Sequence, residues 1–151
     1  MGIDAVDSGK KCDLDYTKTS YGVYVNAAMG AWNNINGSVV FRKDTLTVLE
    51  DAKFKDQANP PGSNSRAMAA TLVNGSNSTV TFFTNQMNHS SVSDVERKTA
   101  VVHELGHLLG IFHIGTENAC RGNVMDEMNR AYGISFGLDD IYALGKARAT
   151  W

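Results

Sequence analysis

Three of the four histidines in this 151-residue chain lie within eleven residues, in the stretch HELGHLLGIFH. His103 and His107 are four residues apart, so a helix places both imidazoles on one face, about one turn from each other. The apolar residues around them would make a core helix by themselves: Val101, Val102, Leu105, Leu108 and Leu109. The stretch therefore predicts a core helix that carries two imidazoles side by side.

His113 and Gly110 extend this pattern beyond the helix. His113 lies six residues after His107, and on a continued helix about 600° of rotation would point it elsewhere. Gly110 removes this difficulty because a glycine can adopt a positive φ, end the helix and turn the chain back. A core helix needs neither the third histidine nor the glycine. We therefore predict one zinc ion bound by His103, His107 and His113, since neutral imidazole is a good zinc ligand.

Glu104 directly follows the first of these histidines. Three protein ligands leave the fourth position of a tetrahedron open to water, which distinguishes a catalytic zinc ion from a structural one. Glu104 lies about 100° round the helix from His103, where it could accept a proton from that water without binding the metal. Zinc would activate the water and polarise a substrate carbonyl. Two alternatives stay open: a zinc-stabilised binding module without turnover, and a zinc hydrolase of a non-peptide amide.

Periodicity and turn signals along the rest of the chain predict an α+β fold with a mixed or antiparallel sheet. A first helix is predicted over Gly22–Asn36, with Val25, Met29 and Trp32 on one stripe that faces the core. Asn74-Gly75 is a hairpin signal. Strands rich in β-branched residues are predicted at Ser38–Lys43, Thr45–Asp51, Arg66–Val73 and Thr79–Asn85, with a loop at Asp56–Ser65.

Two further helices have recognisable boundaries. Ser93 and Glu96 form a capping-box pattern at the start of the histidine-bearing helix. The closing stretch LDDIYALGKARA predicts a last helix with Ile141 and Leu144 on its inner face. The fourth histidine, His89, lies in a loop ahead of the zinc helix and is predicted to be a surface residue.

Composition limits the classes of protein that the chain can represent. The length suits a single domain over residues 1–151. A net charge of −2 with 20% charged residues gives no basis for capture of nucleic acid or of an anionic membrane. No apolar run approaches the roughly 18–20 residues of a membrane span, and no signal peptide is visible. Cys12 and Cys120 could form one disulfide or stay as two buried thiols, and secretion would favour the disulfide.

HELGHLLGIFH resembles the metzincin zinc signature HExxHxxGxxH. The resemblance implies a zinc endopeptidase with an upper subdomain, about residues 1–110, and a small lower one, about residues 111–151. The upper subdomain would contain a twisted mixed sheet and two long helices, including the zinc helix, and the lower one the C-terminal helix. The three histidines correspond to the metal ligands, and Glu104 corresponds to the catalytic acid and base. We also expect a secreted protein.

The metzincin resemblance also implies a methionine turn beneath the metal. Met125 is the candidate, twelve residues after the last ligand, because Met128 lacks the preceding apolar residue that we expect. A methionine there would pack as a soft side chain under the ligand imidazoles. The wall of the S1′ pocket would come from the stretch after Met125, with Tyr132 as a candidate.

Within the metzincins, HELGHLLGIFH and the closing LDDIYAL most resemble a minimal matrixin, over most of residues 20–148. By this analogy Arg66–Val73 is the sheet edge beside the cleft, where a peptide or protein substrate adds as an extended strand. The substrate-strand candidates are Ala67, Met68, Ala69 and Ala70. We expect a monomer.

Several positions depart from the matrixin pattern. Ile114 stands where matrixins usually have Ser, and the loop over 51–65 contains no histidine. The second, structural zinc ion of animal matrixins is therefore expected to be absent. Calcium ligands are not obvious, although Asp51 and Asp56 could supply a weak Ca²⁺ site.

Overall fold

The computed structural model describes residues 4–45, 49–62, 66–114, 123–126 and 136–151. Within these residues the chain forms five strands and four helices. In chain order they are β1 (Cys12–Asp15), α1 (Gly22–Asn36), β2 (Phe41–Lys43), β3 (Ala52–Gln57), β4 (Ala69–Leu72), β5 (Ser78–Phe83), α2 (Thr84–Met87), α3 (Asp94–Leu108) and α4 (Leu138–Arg148). The α+β prediction is confirmed, whereas the division into two subdomains stays a prediction.

The five strands form one mixed sheet in the order β2-β1-β3-β5-β4. Strand β1 pairs in parallel with β2 and β3, and β3 pairs in parallel with β5. Strand β4 runs antiparallel to β5 and forms an edge of the sheet as described. The predicted hairpin joins these two strands, and its Gly75 has a φ of +53°. The sheet is therefore mixed because of this one antiparallel edge strand.

The side chains of β3 show how the sheet divides into a buried and a solvent-facing side. Ala52 and Phe54 are buried, whereas Lys53 and Lys55 between them are exposed, as the two-residue repeat of a strand requires. The buried side belongs to the same core as helices α1 and α3. The indole nitrogen of Trp32 in α1 donates a hydrogen bond to the Val102 carbonyl of α3 at 2.8 Å. The two long helices are thus tied together over the buried side of the sheet.

Helix α3 begins where the capping-box pattern predicted. The Ser93 hydroxyl accepts a hydrogen bond from the Glu96 amide, and the Glu96 carboxylate accepts one from the Ser93 amide at 2.7 Å. These two bonds satisfy amide groups that the first turn of a helix otherwise leaves without partners. The predicted bounds of α1 agree with the structure as well.

Two strand predictions were wrong in position or extent, and one strand was missed. Strand β1 was missed because CDLD is short and alternates in charge, and β3 lies immediately after the predicted strand Thr45–Asp51. Residues 46–48 of that stretch lie outside the described part of the chain. The predicted strand Ser38–Lys43 shrinks to β2. At the start of this strand, the Asn33 side chain accepts hydrogen bonds from the Val40 and Phe41 amides, both at 2.8 Å.

Two side-chain predictions also need correction. In α4, Leu144 is buried as expected, but Ile141 is 47% exposed, so it does not share the inner face. Cys12 is a buried free cysteine, and burial raises the pKa of its thiol. Cys120 lies outside the described residues. The structure therefore gives no support to the disulfide.

None of the described helices has both the length and the apolar composition needed to span a membrane.

Candidate metal centre

The three predicted ligands come together at the C-terminal end of α3. The Nε2 atoms of His103, His107 and His113 form a triangle with sides of 3.1, 3.2 and 3.1 Å. In a tetrahedral zinc site with bonds of about 2.0–2.1 Å, two ligand nitrogens lie roughly 3.3 Å apart. The three nitrogens therefore converge at the spacing that such an ion needs. The structure shows that this group could hold a metal ion, and the identity of the ion belongs to the proposal below.

Gly110 brings His113 to the other two histidines by ending the helix. Its φ is +79°, in the left-handed region that residues with a side chain rarely adopt. The Gly110 amide donates to the His107 carbonyl at 2.9 Å, and the Ile111 amide donates to the Gly106 carbonyl at 3.1 Å. These two bonds form a Schellman turn. The turn reverses the chain within three residues, so His113 returns to the face that carries His107.

Backbone carbonyls orient two of the imidazoles. The Nδ1 atom of His107 donates to the Ile111 carbonyl at 2.8 Å, and the Nδ1 atom of His103 donates to the Val124 carbonyl at 2.8 Å. A carbonyl can only accept, so the proton lies on Nδ1 and the Nε2 lone pair is left for a metal. The Gly110 turn thus supplies both the position of His113 and the hydrogen-bond acceptor for His107.

Burial keeps these imidazoles neutral. Burial, followed by the charge of the neighbouring His107, lowers the pKa of His103 to about 4. Burial also lowers the pKa of His107. At neutral pH both rings are therefore deprotonated, which is the form that binds a metal.

Met125 lies directly beneath the helix segment that carries the histidines. Its side chain is fully buried, and its carbonyl accepts a hydrogen bond from the Ile114 amide at 2.9 Å. A Cβ added to Gly106 would lie 2.3 Å from the Met125 sulfur and 3.0 Å from the Trp32 ring. Gly106 therefore has to be a glycine, although glycine in a helix interior is unfavourable by about 1 kcal/mol relative to alanine. Sequence analysis did not single out Gly106. The signal that could have found it is a glycine inside a predicted helix, where glycine is unfavourable.

Asp140 holds the Met125 segment from below. Its carboxylate accepts hydrogen bonds from the amides of Val124 at 2.7 Å, Met125 at 3.0 Å and Gly137 at 2.9 Å. Val124 is the residue whose carbonyl orients His103, so Asp140 supports the metal centre through one intervening residue. The sequence placed Asp140 in the first turn of α4 and indicated no further role for it. Two of its three partners, Val124 and Met125, lie about fifteen residues away in the chain, and no local pattern predicts those contacts.

The Glu104 carboxylate is buried against strand β4. Its Oε2 atom accepts a hydrogen bond from the Thr71 hydroxyl at 2.6 Å. Burial raises the pKa of Glu104 to about 7, and the bond from Thr71 opposes that rise. A carboxyl group with a pKa near the ambient pH can both accept and release a proton, which suits a general base that later acts as an acid.

The predicted substrate strand lies only partly within a strand. Ala69 and Ala70 belong to β4, whereas Ala67 and Met68 precede it. Met68 is buried, and its carbonyl accepts a hydrogen bond from the Phe83 amide, so it belongs to the core. Ala70 is exposed at the sheet edge.

Some of the remaining site predictions concern residues outside the described part of the chain. Met128 and Tyr132 both lie outside them. His89 is exposed, as expected, and its ring contacts the Ser91 hydroxyl.

The two calcium candidates make separate contacts. Asp56 accepts hydrogen bonds from Thr19 and Ser20, while Asp51 groups with Asp13 and Asp7. In that group, Arg42 pairs with Asp13 at 2.7 Å. The calcium site therefore stays a prediction.

The structure thus combines a mixed sheet with an antiparallel edge strand, two long helices over one side of that sheet, and three histidines gathered at the end of α3. Among solved structures, the chain is similar to archaemetzincin from Methanopyrus kandleri, with a TM-score of 0.61 and 14% sequence identity. The match covers 95% of this chain and 99% of that one. At this identity the likeness concerns the fold alone, and it does not single out the matrixin branch. No family model and no curated protein matches the sequence.

The support that Asp140 gives to the metal centre can be tested with Asp140→Asn. The amide side chain would direct N–H donors at backbone amides that are themselves donors, so we expect unfolding to become easier by about 2–4 kcal/mol. Zinc affinity should fall by about 10–100-fold, as is common when a group that orients a metal ligand is changed. Denaturant unfolding and competition with a chelator measure the two effects. Asp139→Asn, at the exposed neighbouring position, is the matched control, and equal effects of the two variants would contradict the assignment.

The raised pKa of Glu104 predicts a pH dependence of the metal-free protein. Below pH 4.5 the carboxyl is protonated in both the folded and the unfolded chain, so it has no effect there. As the pH rises to about 7, only the unfolded chain loses the proton readily, and the folded state loses stability. Glu104→Gln, which stays neutral, should therefore gain about 3 kcal/mol relative to wild type between pH 4.5 and 8.

Denaturant unfolding at a series of pH values measures this difference, and comparing the two proteins cancels the opposing contribution of His103. Glu50→Gln is the control, because Glu50 is only partly buried and its hydrogen bond with Lys53 lowers its pKa. Its difference from wild type should stay constant from pH 5 to 8. A constant difference for Glu104→Gln over the same range would show that burial does not raise this pKa.

Proposed function

We propose that this protein is a zinc-dependent endopeptidase of the metzincin type. The observation that carries the proposal is the triangle of imidazole nitrogens, 3.1–3.2 Å apart, next in the chain to a buried carboxylate. Three histidines leave a position open for water, and Glu104 has a pKa of about 7. The similarity to archaemetzincin agrees with this proposal at the level of the fold.

The roles of the residues follow from their placement. His103, His107 and His113 would hold the ion, with Val124 and Ile111 orienting the first two. A zinc ion so bound would activate water and polarise the peptide carbonyl. Glu104 would accept the proton of the attacking water as a general base and deliver it to the leaving amine as a general acid. Met125 would serve as the methionine turn, packed under Gly106.

The edge strand β4 would bind the substrate. Its outer side has no strand partner in the described sheet, so an extended peptide could pair with it through backbone hydrogen bonds. The exposed Ala70 has a small side chain that leaves room for the peptide. We propose a peptide or protein substrate on this basis.

The two alternatives use the same metal centre. A zinc-stabilised binding module would keep the three histidines but has no chemical need for Glu104. A zinc hydrolase of a non-peptide amide would keep Glu104 but would not need a free sheet edge. Secretion and a monomeric state in solution remain predictions from the sequence.

Glu104→Ala distinguishes these functions. We expect the variant to retain zinc and the fold and to lose peptide cleavage by at least about 100-fold, because a positioned general base contributes that much or more. Zinc content, thermal unfolding and digestion of a peptide library measure the three properties. Glu50→Ala removes a partly exposed carboxylate that pairs with Lys53, and it serves as the control.

Each outcome points to a different function. Cleavage at the wild-type rate by Glu104→Ala would contradict the mechanism. A zinc-loaded wild-type protein that cleaves no peptide in the library would favour one of the two alternatives. Loss of wild-type cleavage on chelation, restored by zinc, is expected if the ion takes part in the reaction.

A further inference from the structure

Thr71 contacts the side chain that the proposed mechanism relies on. Its hydroxyl oxygen lies 2.6 Å from Oε2 of Glu104 and 3.2 Å from the Glu104 backbone carbonyl. The shorter distance identifies the carboxylate as the main acceptor. Within the part of the chain that the structure describes, this is the one hydrogen bond to the Glu104 carboxylate.

The position of Thr71 is set by the sheet. Thr71 lies opposite Val80 of β5 in the antiparallel register, and Val80 is fully buried. Ala70 and Leu72 on either side of it are exposed, so the alternation of the strand directs the Thr71 side chain inward, towards α3. A β-branched side chain also has few rotamers. The hydroxyl is therefore held in place by the strand before any substrate binds.

The Glu104 carboxylate needs such a partner. A glutamate side chain has several rotatable bonds, so holding it in one orientation costs conformational entropy. A base that is not held in place transfers a proton less often in the correct geometry. One fixed hydrogen bond to Oε2 restricts the carboxylate and leaves the other oxygen, Oε1, available.

We propose that Thr71 is a positioning residue for Glu104, and this inference rests on the proposed function. The Thr71 hydroxyl donates to Oε2 and keeps its own proton throughout. Oε1 accepts one proton from the attacking water as the water oxygen bonds to the peptide carbon. The same proton then passes from Oε1 to the leaving amine nitrogen as the carbon–nitrogen bond breaks.

The location of Thr71 joins two parts of the proposed site. Thr71 lies on β4, which is also the edge strand that would pair with the peptide. Thr71, which would orient the base, therefore lies on the same strand as the backbone groups that would hold the peptide bond to be cleaved. This arrangement fixes their relative position without help from a mobile loop.

Kinetics of three threonine variants test the role in catalysis. Thr71→Val has nearly the same shape but no hydroxyl, and we expect kcat to fall about tenfold with KM unchanged. Thr71→Ser restores the hydroxyl and should stay within about threefold of the wild-type kcat. Thr81→Val is the matched control, because Thr81 lies on β5 opposite the exposed Ala70, so the alternation of the strands directs it to the other side of the sheet from Thr71. Zinc content should be the same in all of them.

Thermal unfolding of the metal-free protein tests the contact without any catalysis. Thr71→Val should lower Tm by about 3 °C in the wild-type background, because it leaves a buried carboxylate without its donor. In the Glu104→Ala background the same change should leave Tm nearly unaltered, since the acceptor is already gone.

The outcomes separate this inference from the proposed function. A wild-type protein that cleaves peptides together with a Thr71→Val variant of unchanged kcat would overturn the inference alone. Equal Tm changes in the two backgrounds would overturn it as well, whatever the kinetics show. A zinc-loaded wild-type protein that cleaves no peptide would overturn the proposed function and, with it, the role of Thr71.

Discussion

The metal centre depends on two backbone carbonyls that each accept a hydrogen bond from the Nδ1–H group of a histidine. An imidazole that lacks such an acceptor can rotate and can carry its proton on either nitrogen, so its lone pair has no fixed direction. The carbonyls of Ile111 and Val124 remove that freedom from His107 and His103, respectively. The turn at Gly110 and the contacts of Asp140 with the segment over 123–126 both help to place these two oxygen atoms.

The two carbonyls are placed by different means. Ile111 follows a local Schellman turn that Gly110 makes possible. Val124 is placed by long-range contacts: Asp140 accepts hydrogen bonds from its amide and from that of Met125. Met125 then packs against Gly106, where a larger residue would collide with its sulfur atom. A glycine in the helix and an aspartate in α4 thus cooperate, although they are 34 residues apart in the chain.

The same distinction between local and long-range contacts decides which features of the structure could be predicted from the sequence. The ends of α1 and α3 and the turn at Gly110 depend on nearby residues, and local patterns predicted them. The parallel strands β1 and β3 are short or rich in charged residues, and they form only because distant strands pair with them. Asp140 and Thr71 were missed for the same reason. The partner of each lies on another element, and residue type alone does not identify it.

The central claim is that three imidazoles and no other protein group bind one zinc ion at the end of α3. X-ray absorption at the zinc K-edge of the stoichiometrically loaded protein tests this claim most directly. The account predicts three imidazole nitrogens and one further light ligand, at about 2.0–2.1 Å. A sulfur neighbour at about 2.3 Å, or a spectrum that is unchanged in His113→Ala, would contradict it.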